Sequence, residues 1–194
     1  MKLVEQGMGI DVFWAISTPE RVNDLSQVDF DIFQGLFGYR LLLIKEARVT
    51  EFKTTGDIEI KNMLAGLSPD WPDYLILQKH GFNVQGTTSY SSLFKLLELE
   101  RVDYLPRSMF EVWFEHEHLQ TRGISVSPDV AIYYPTKFTF FLAKSNRELA
   151  DELQKALQAM DGNGRFEQFF NLVWKDVIAK SSLQSKKIIR LSND

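Results

Sequence analysis

The chain has 194 residues, a formal net charge of −4 at pH 7 and no cysteine. Hydrophobic residues make up 44% and aromatic residues 13% of it, which is typical of a folded globular protein and excludes a disordered chain. The absence of cysteine excludes disulfides, thiolate catalysis and cysteine-ligated zinc, and without a basic block we expect no nucleic-acid partner.

Short apolar runs alternate with helical segments in the N-terminal half. Residues 10–16 (IDVFWAI) predict a buried strand closed by the turn residues STP, and 39–45 (YRLLLIK) predict a second strand. Helices are predicted at 57–64 and 71–80, the latter ended by Gly81. This order of elements is typical of an α/β protein.

The alternation continues along the chain. We expect a strand at 82–85, a helix opened by Thr88 or Ser89, a strand at 102–105 and a helix at 108–115. The first of these helices has an apolar stripe formed by Tyr90, Leu93, Phe94 and Leu97. Such alternation predicts parallel strands joined by right-handed helical crossovers, with helices on both faces of the sheet.

Three strands in a row then interrupt this pattern, at 124–126, 131–134 and 138–143. The remaining segment is helical. Ser145 and Glu148 have the spacing of a capping box, which predicts the start of a helix that ends at Gly162. A second helix follows, with its apolar stripe at Phe166, Phe169, Phe170, Val173 and Val177.

Signatures of catalysis and of metal binding are scarce. The chain has no nucleophile elbow, no P-loop and no complete dinucleotide fingerprint. His116 and His118 are two positions apart, so a helix would point them to different faces, and we expect no metal there. His80 precedes a glycine and is expected to contact the last carbonyls of a helix. We therefore expect neither a catalytic group nor a cofactor.

Polar and cationic side chains follow several predicted strands. Arg21 lies just after the first strand and Arg107 follows VDYLP, while Ser68–Trp71 forms a turn before a helix. Ligands of open α/β sheets bind beyond the carboxyl ends of strands, and arginine can hold a carboxylate with two parallel hydrogen bonds. An anionic or zwitterionic ligand is one interpretation. The other is that each arginine forms an ion pair with a nearby acid such as Glu20 or Glu111.

From about Val4 onward, five segments follow one another in a characteristic order and spacing: GIDVFWAISTPER, GYRLLLIKE, GLSPDWPDYLILQKHGF, YSSLFKLLELERVDYLPRSMFEVW and YYPTKFTFFLAKSNRELADELQKALQAMDGNGRFEQFF. In this order and spacing the chain resembles the type 2 periplasmic solute-binding proteins, in particular the family 3 amino-acid-binding group of ABC transport. The resemblance implies a two-lobed α/β architecture with mixed sheets and two crossovers, the ligand being clamped between the lobes. Its implied boundaries are 1–43 and 136–194 for the first lobe and 44–135 for the second. The first lobe is expected to be N-terminally incomplete, since family members have a strand, a helix and a strand before the segment matching 2–9.

The resemblance also implies a ligand site. Arg21 matches the family's arginine that pairs with the ligand α-carboxylate, and SPDW departs from the family's glycine-threonine anion loop. Arg107 lies next to the position of an aspartate that binds the ligand ammonium. These departures favour an organic acid or a modified amino acid over a plain α-amino acid. The implied ligand-binding residues are Trp14, Ser17, Thr18, Arg21, Ser68, Asp70, Trp71, Arg107 and Ser108.

The implied function is that of a solute-binding protein that captures a small polar, carboxylate-bearing or amino-acid-like ligand and delivers it to a membrane ABC permease. A periplasmic location is implied by the resemblance, although no signal peptide is evident. Two alternatives stay open: the ligand-sensing domain of a signalling receptor, and a dehydratase-like lyase with Glu111 or Asp70 as acid or base. We also expect self-association through the strand at 10–16, whose apolar edge would lack neighbours, while 42–134 folds as an intact second lobe.

Overall fold

The computed structural model describes Val4 and residues 9–192. It divides the chain into two compact units. Unit 1 comprises Met1–Phe37 and Thr136–Asp176, and unit 2 comprises Gly38–Pro135 and Val177–Asp194. Within the described residues, no helix combines the length and apolar character that crossing a membrane requires.

Unit 1 contains a three-stranded antiparallel sheet in the order β1-β8-β2. Its strands are β1 (Val12–Ile16), β2 (Ser26–Gln27) and β8 (Phe138–Leu142). Its helices are α1 (Pro19–Asp24), α7 (Arg147–Gly162) and the part of α8 (Arg165–Ser181) up to Asp176. The strand predicted at 138–143, the end of a helix at Gly162 and the helix after it are confirmed.

The core of unit 1 follows from the alternation of side chains along β1. Phe13 and Ala15 pack against a buried group formed by Val4, Leu25 and Phe141. Trp14 points to the opposite face of the strand and is 64% exposed. The predicted strand is therefore correct, but it is buried on one face only.

The predicted capping box at the start of α7 is wrong. The N-cap residue is Asn146, and no side chain caps the helix. Ser145 instead lies inside a short 3₁₀ turn, Lys144–Asn146, that leads directly into the first turn of α7. Because the turn continues the chain into the helix, the serine does not occupy the capping position that its spacing predicts.

Unit 2 contains a six-stranded mixed sheet in the order β5-β4-β6-β3-β7-β9. Its strands are β3 (Tyr39–Lys45), β4 (Leu64–Leu67), β5 (Asn83–Gly86), β6 (Tyr104–Ser108), β7 (Ile124–Tyr133) and β9 (Lys187–Arg190). Its helices are α2 (Val49–Thr54), α3 (Asp57–Asn62), α4 (Pro72–Lys79), α5 (Tyr90–Glu98), α6 (Val112–Leu119) and the last residues of α8.

The sheet of unit 2 is mixed because β3 runs antiparallel to both of its neighbours, β6 and β7. The purely parallel arrangement that the alternation predicts is thus wrong for β3, while β4 is parallel to β5 and β6. Leu41, Leu42, Leu43 and Ile44 are all fully buried. A strand hydrogen-bonded on both edges and covered on both faces needs such a continuous apolar run.

Several local predictions are confirmed in unit 2. Gly81 follows α4 with a φ of +78°, a left-handed conformation that glycine adopts without a steric penalty. Ser89 caps α5 by accepting the N–H of Ser92. Nδ1 of His80 lies 2.8 Å from the carbonyl oxygen of Ile76, in the last turn of α4. His80 is therefore a helix-end residue, as predicted.

Several boundaries differ from the predicted ones. The strand predicted at 102–105 is β6 (Tyr104–Ser108), and the helix predicted at 57–64 ends at Asn62 because Leu64 begins β4. The helix predicted at 108–115 begins only at Val112, because Ser108 is still paired with Arg40 in the β3–β6 ladder. The two strands predicted at 124–126 and 131–134 are one strand, β7, whose pairing with β3 shifts register between Leu41 and Leu43. This irregularity explains why the apolar pattern is interrupted between 126 and 131 although β7 continues through these residues.

The division into units also differs from the predicted lobes in two segments. Residues 38–43 belong to unit 2 because 39–43 form part of β3, the strand between β6 and β7, and Gly38 directly precedes it. Residues 177–194 belong to unit 2 because β9 pairs in parallel with β7. The segment predicted as the second lobe, 44–135, lies entirely in unit 2.

Candidate functional site

Polar side chains gather in unit 2 where the parallel strands β4 and β6 end. Ser68 follows β4 and Ser108 is the last residue of β6; both are buried. The Ser68 hydroxyl accepts the N–H of Asp70 at 3.4 Å, and the Ser108 hydroxyl accepts the N–H of Phe110 at 3.3 Å. The two serines therefore shape the turns that follow the strands. Asp70 itself is exposed.

Arg107 lies beside Ser108 and is only 7% exposed. Its Nε donates to both carboxylate oxygens of Glu115, at 2.9 and 3.0 Å, and its Nη2 donates to Glu115 Oε1 at 2.7 Å. Nη2 also lies 3.2 Å from Glu111 Oε2. Burial alone would lower the pKa of Arg107, but the charges of Glu111 and Glu115 outweigh it and raise the pKa. The ion-pair interpretation is therefore the one that holds for Arg107.

Two aromatic rings flank this ion pair. The Trp71 ring centroid lies 4.4 Å from Cζ of Arg107, and the Tyr90 centroid lies 5.8 Å from it. The Tyr90 hydroxyl donates to Glu115 Oε1 at 2.5 Å. We call this set, Trp71, Tyr90, Arg107, Glu111 and Glu115, the Arg107 cluster. Nη1 of Arg107 forms no hydrogen bond with any residue that the structure describes.

Glu111 is the acidic member of the cluster that faces solvent. It occupies the N-cap position of α6, and its side chain remains 45% exposed. Desolvation by the surrounding protein raises the pKa of Glu111, and the positive charge of Arg107 opposes that rise. Its carboxylate can accept hydrogen bonds from a ligand, and the raised pKa also suits an acid or base.

A buried group supports the start of α4, directly after Trp71. Nε of Arg40 lies 2.5 Å from Asp73 Oδ1, and the Tyr134 hydroxyl donates to the same oxygen. Burial would raise the pKa of Asp73, but the charge and hydrogen bond of Arg40 lower it below its ordinary value. Since Asp73 lies in the first turn of α4, this ionised pair fixes the backbone next to Trp71.

The candidate residues of unit 1 form a separate set around the end of β1. The Thr18 hydroxyl caps α1 by accepting the N–H of Arg21 at 3.3 Å, and the Ser17 hydroxyl accepts a bond from Gln27 at 2.9 Å. Nη1 of Arg21 donates to the carbonyl of Ile16 at 2.6 Å. None of the described carboxylates, Glu20 included, lies within ion-pair distance of Arg21. The structure thus groups Trp14, Ser17, Thr18 and Arg21 in unit 1, and Ser68, Asp70, Trp71, Arg107 and Ser108 in unit 2.

Tyr90 and Glu115 are members of the Arg107 cluster that the sequence predictions did not include, whereas Glu111 was predicted as an ion-pair partner and as an acid or base. The signal for the two glutamates was their spacing of four and eight positions after Arg107. Tyr90 was assigned only to an apolar stripe. Across Val4 and residues 9–192, no three or more metal-ligating side chains are grouped so as to hold a metal ion.

No protein-family model and no curated protein matches the chain. Solved structures do. An ancestral arginine-binding protein bound to arginine matches with a TM-score of 0.65 and 17% identity, over 88% of this chain and 74% of that chain. A probable amino-acid ABC transporter extracellular-binding protein from Bacillus subtilis matches with a TM-score of 0.65 and 15% identity, over 88% of this chain and 73% of that chain.

A third match is a periplasmic His/Glu/Gln/Arg/opine family-binding protein from Silicibacter pomeroyi in complex with lysine. Its TM-score is 0.64 at 10% identity, over 88% of this chain and 72% of that chain. At these identities the likeness concerns the backbone and not the binding residues. The chain has the type 2 periplasmic binding protein fold.

Proposed function

We propose that the chain is a solute-binding protein and that the Arg107 cluster contacts a small, polar, amino-acid-like ligand. The observation that carries the proposal is the arrangement around Arg107. A charged group that is almost fully buried is held by Glu115 and by two aromatic rings, next to a half-exposed carboxylate. Side chains held so firmly lose little conformational freedom on binding, which favours affinity.

The fold supports this proposal, because two of the structures described above are binding proteins in complex with arginine and with lysine, and the third is a probable amino-acid ABC transporter extracellular-binding protein. Delivery of the ligand to a membrane ABC permease and a periplasmic location complete the proposal. Trp14, Ser17, Thr18 and Arg21 of unit 1 are predicted to contribute to ligand binding as well, and mutation of Arg21 tests this.

A thermal-shift screen with the common amino acids, followed by calorimetry on each one that stabilises the protein, tests the proposed function. A ligand at a hundred times its Kd stabilises the folded state by about 2.7 kcal/mol, which is readily measured. We expect at least one amino acid to bind, and the R107A variant to lose that binding. If no amino acid at millimolar concentration stabilises the protein, the proposal is wrong.

A lyase is a second candidate, favoured by the raised pKa of Glu111 beside Arg107. A carboxyl group with a raised pKa transfers protons more readily near neutral pH. Incubation with ligands from the screen and analysis by mass spectrometry distinguishes the two functions. Loss of water from a bound compound, abolished by E111Q, would favour the lyase, whereas unchanged ligand favours binding alone.

A further inference from the structure

The charges of the Arg107 cluster do not balance. Both carboxylate oxygens of Glu115 accept hydrogen bonds from Arg107, Oε1 from Nε and Nη2 and Oε2 from Nε. Oε1 also accepts a hydrogen bond from the Tyr90 hydroxyl. One guanidinium thus faces two carboxylates, and the carboxylate left over is Glu111, whose single contact with Arg107 is at 3.2 Å. Desolvation and the bond to Glu115 raise the pKa of Tyr90, so its hydroxyl stays neutral. An approaching ligand therefore meets a net negative charge.

The turn at Ser68–Trp71 does not offset this charge. The N–H of Asp70 is bonded to the Ser68 hydroxyl, and the N–H of Trp71 is bonded to the Ser68 carbonyl at 3.1 Å. The next residue is Pro72, which has no N–H to offer. An anion-binding loop needs backbone N–H groups directed at the ligand, and here they are used within the turn. The exposed carboxylate of Asp70 adds a further negative charge.

The aromatic rings point to the same kind of ligand. Trp71 and Tyr90 already hold the guanidinium of Arg107 near their faces, and Tyr90 remains 51% exposed. The faces of these rings attract cations. Arg107 has in addition one nitrogen, Nη1, without a hydrogen-bond partner among the described residues, although its side chain is more than nine-tenths buried.

We infer that the ligand carries a net positive charge and presents a side-chain cation, an ammonium or guanidinium separate from any α-ammonium, to Glu111 and to the Tyr90 ring. An oxygen of the same ligand accepts from Nη1 of Arg107. This inference rests on the proposed function and deepens it. It replaces the expectation of an anionic ligand at Arg107, since the positive charge of that side chain is neutralised by Glu115.

Calorimetry with three amino acids tests the inference. L-arginine and L-citrulline are nearly isosteric and differ by one positive charge, while L-glutamate is an anion. We expect L-arginine to bind at least about tenfold more tightly than L-citrulline, the range seen for partly buried charge pairs, and L-glutamate to bind most weakly. In the E111Q variant, the ratio of the affinity for L-arginine to that for L-citrulline should be close to one. The affinity for L-citrulline itself should be nearly unchanged.

Glu117 provides the matched control, because it is an exposed glutamate on the same helix, α6. E117Q removes the same charge from the surface and should keep the wild-type ratio. Circular dichroism verifies that both variants fold. Tightest binding of L-glutamate, or an unchanged ratio in E111Q, would overturn the inference and leave the proposed function standing. If none of the three nor any other amino acid binds, the proposed function fails and the inference fails with it.

Discussion

Arg21 in unit 1 and Arg107 in unit 2 both follow a β-strand, but their partners differ. Arg107 is almost fully buried and pairs with Glu115 and Glu111. Arg21 is half-buried and donates to the backbone carbonyl of Ile16. Arg107 is part of a charge network, whereas Arg21 stabilises a local turn and forms no ion pair with any described carboxylate.

This difference shows that the same residue at the same kind of position can differ in its electrostatic role. In the Arg107 cluster of unit 2 the excess charge is the negative one of Glu111, whereas the guanidinium of Arg21 in unit 1 donates to a backbone carbonyl and forms no ion pair with a described carboxylate. If each unit binds a charged group, unit 1 therefore suits an anionic group and unit 2 a cationic one. Mutations that remove one charged side chain at a time separate the role of Arg21 from that of Arg107.

The largest decrease in the free energy of unfolding is expected from D73N, because this substitution removes the ionised carboxylate that pairs with the buried Arg40. Breaking a buried ion pair by removing one partner costs about 3–5 kcal/mol. We expect urea unfolding, followed by circular dichroism, to show a loss of this size. Y134F is the control, since it removes one hydrogen bond to the same carboxylate and should cost about 1 kcal/mol. Equal stabilities of D73N and wild type would show that the pair does not support unit 2.

R107A and R21A test the comparison directly. R107A leaves Glu115 buried beside Glu111 without a cation and should destabilise the protein by about 2–4 kcal/mol. R21A removes one hydrogen bond to a carbonyl and should cost about 1 kcal/mol. Both variants are predicted to lose ligand binding. Equal losses of stability in the same urea experiment would contradict the proposed difference between the two arginines.

The ion pair of Asp73 also predicts how stability depends on pH. Its pKa is lowered in the folded state, so its contribution is present above the pKa of the unfolded chain, about 3.9, and is lost as the pH falls through the lower folded value. We expect the stability difference between wild type and D73N to be constant from pH 7 to about pH 5 and to shrink as the pH falls below about pH 4. A difference that grows on acidification would contradict the lowered pKa.

Continuous patterns in the sequence predicted the fold better than they predicted the site. The bounds of β3 agree with the predicted strand at 39–45, because a short uninterrupted apolar run between polar ends is typical of a strand covered on both faces. The caps at Ser89 and Gly81 were predicted correctly because both are local backbone features, whereas the capping box at Ser145 failed because a 3₁₀ turn leads into the helix there.

The partner of Arg107 could not be predicted in the same way. Glu115 reaches Arg107 because β6 ends at Ser108 and the chain turns into α6 only at Val112. No periodicity rule covers a pair that spans a strand, a turn and a helix. The predicted helix at 108–115 would have placed the arginine outside that helix, with Glu111 as its nearest acid. Tertiary geometry therefore decided the ion pair.

A substitution on the exposed face of β1 is expected to change the free energy of unfolding least. It also tests most directly whether copies of the chain associate. Among the described strands, β1 pairs with β8 alone, so its other edge pairs with no strand that the structure describes. Its sequence, VFWAI, contains no charge and no proline that would discourage pairing with another chain.

We therefore expect the protein to self-associate at micromolar concentration and the W14K variant to be monomeric by light scattering. Trp14 lies at the centre of β1 and is 64% exposed, so replacing it should change the free energy of unfolding by less than about 0.5 kcal/mol. A lysine there places like charges side by side when two β1 strands pair, which opposes the contact. V22K, at an exposed apolar position on α1, is the matched control and should associate like wild type. A monomeric wild type that binds its ligand tightly would show that the edge of β1 is not a contact surface.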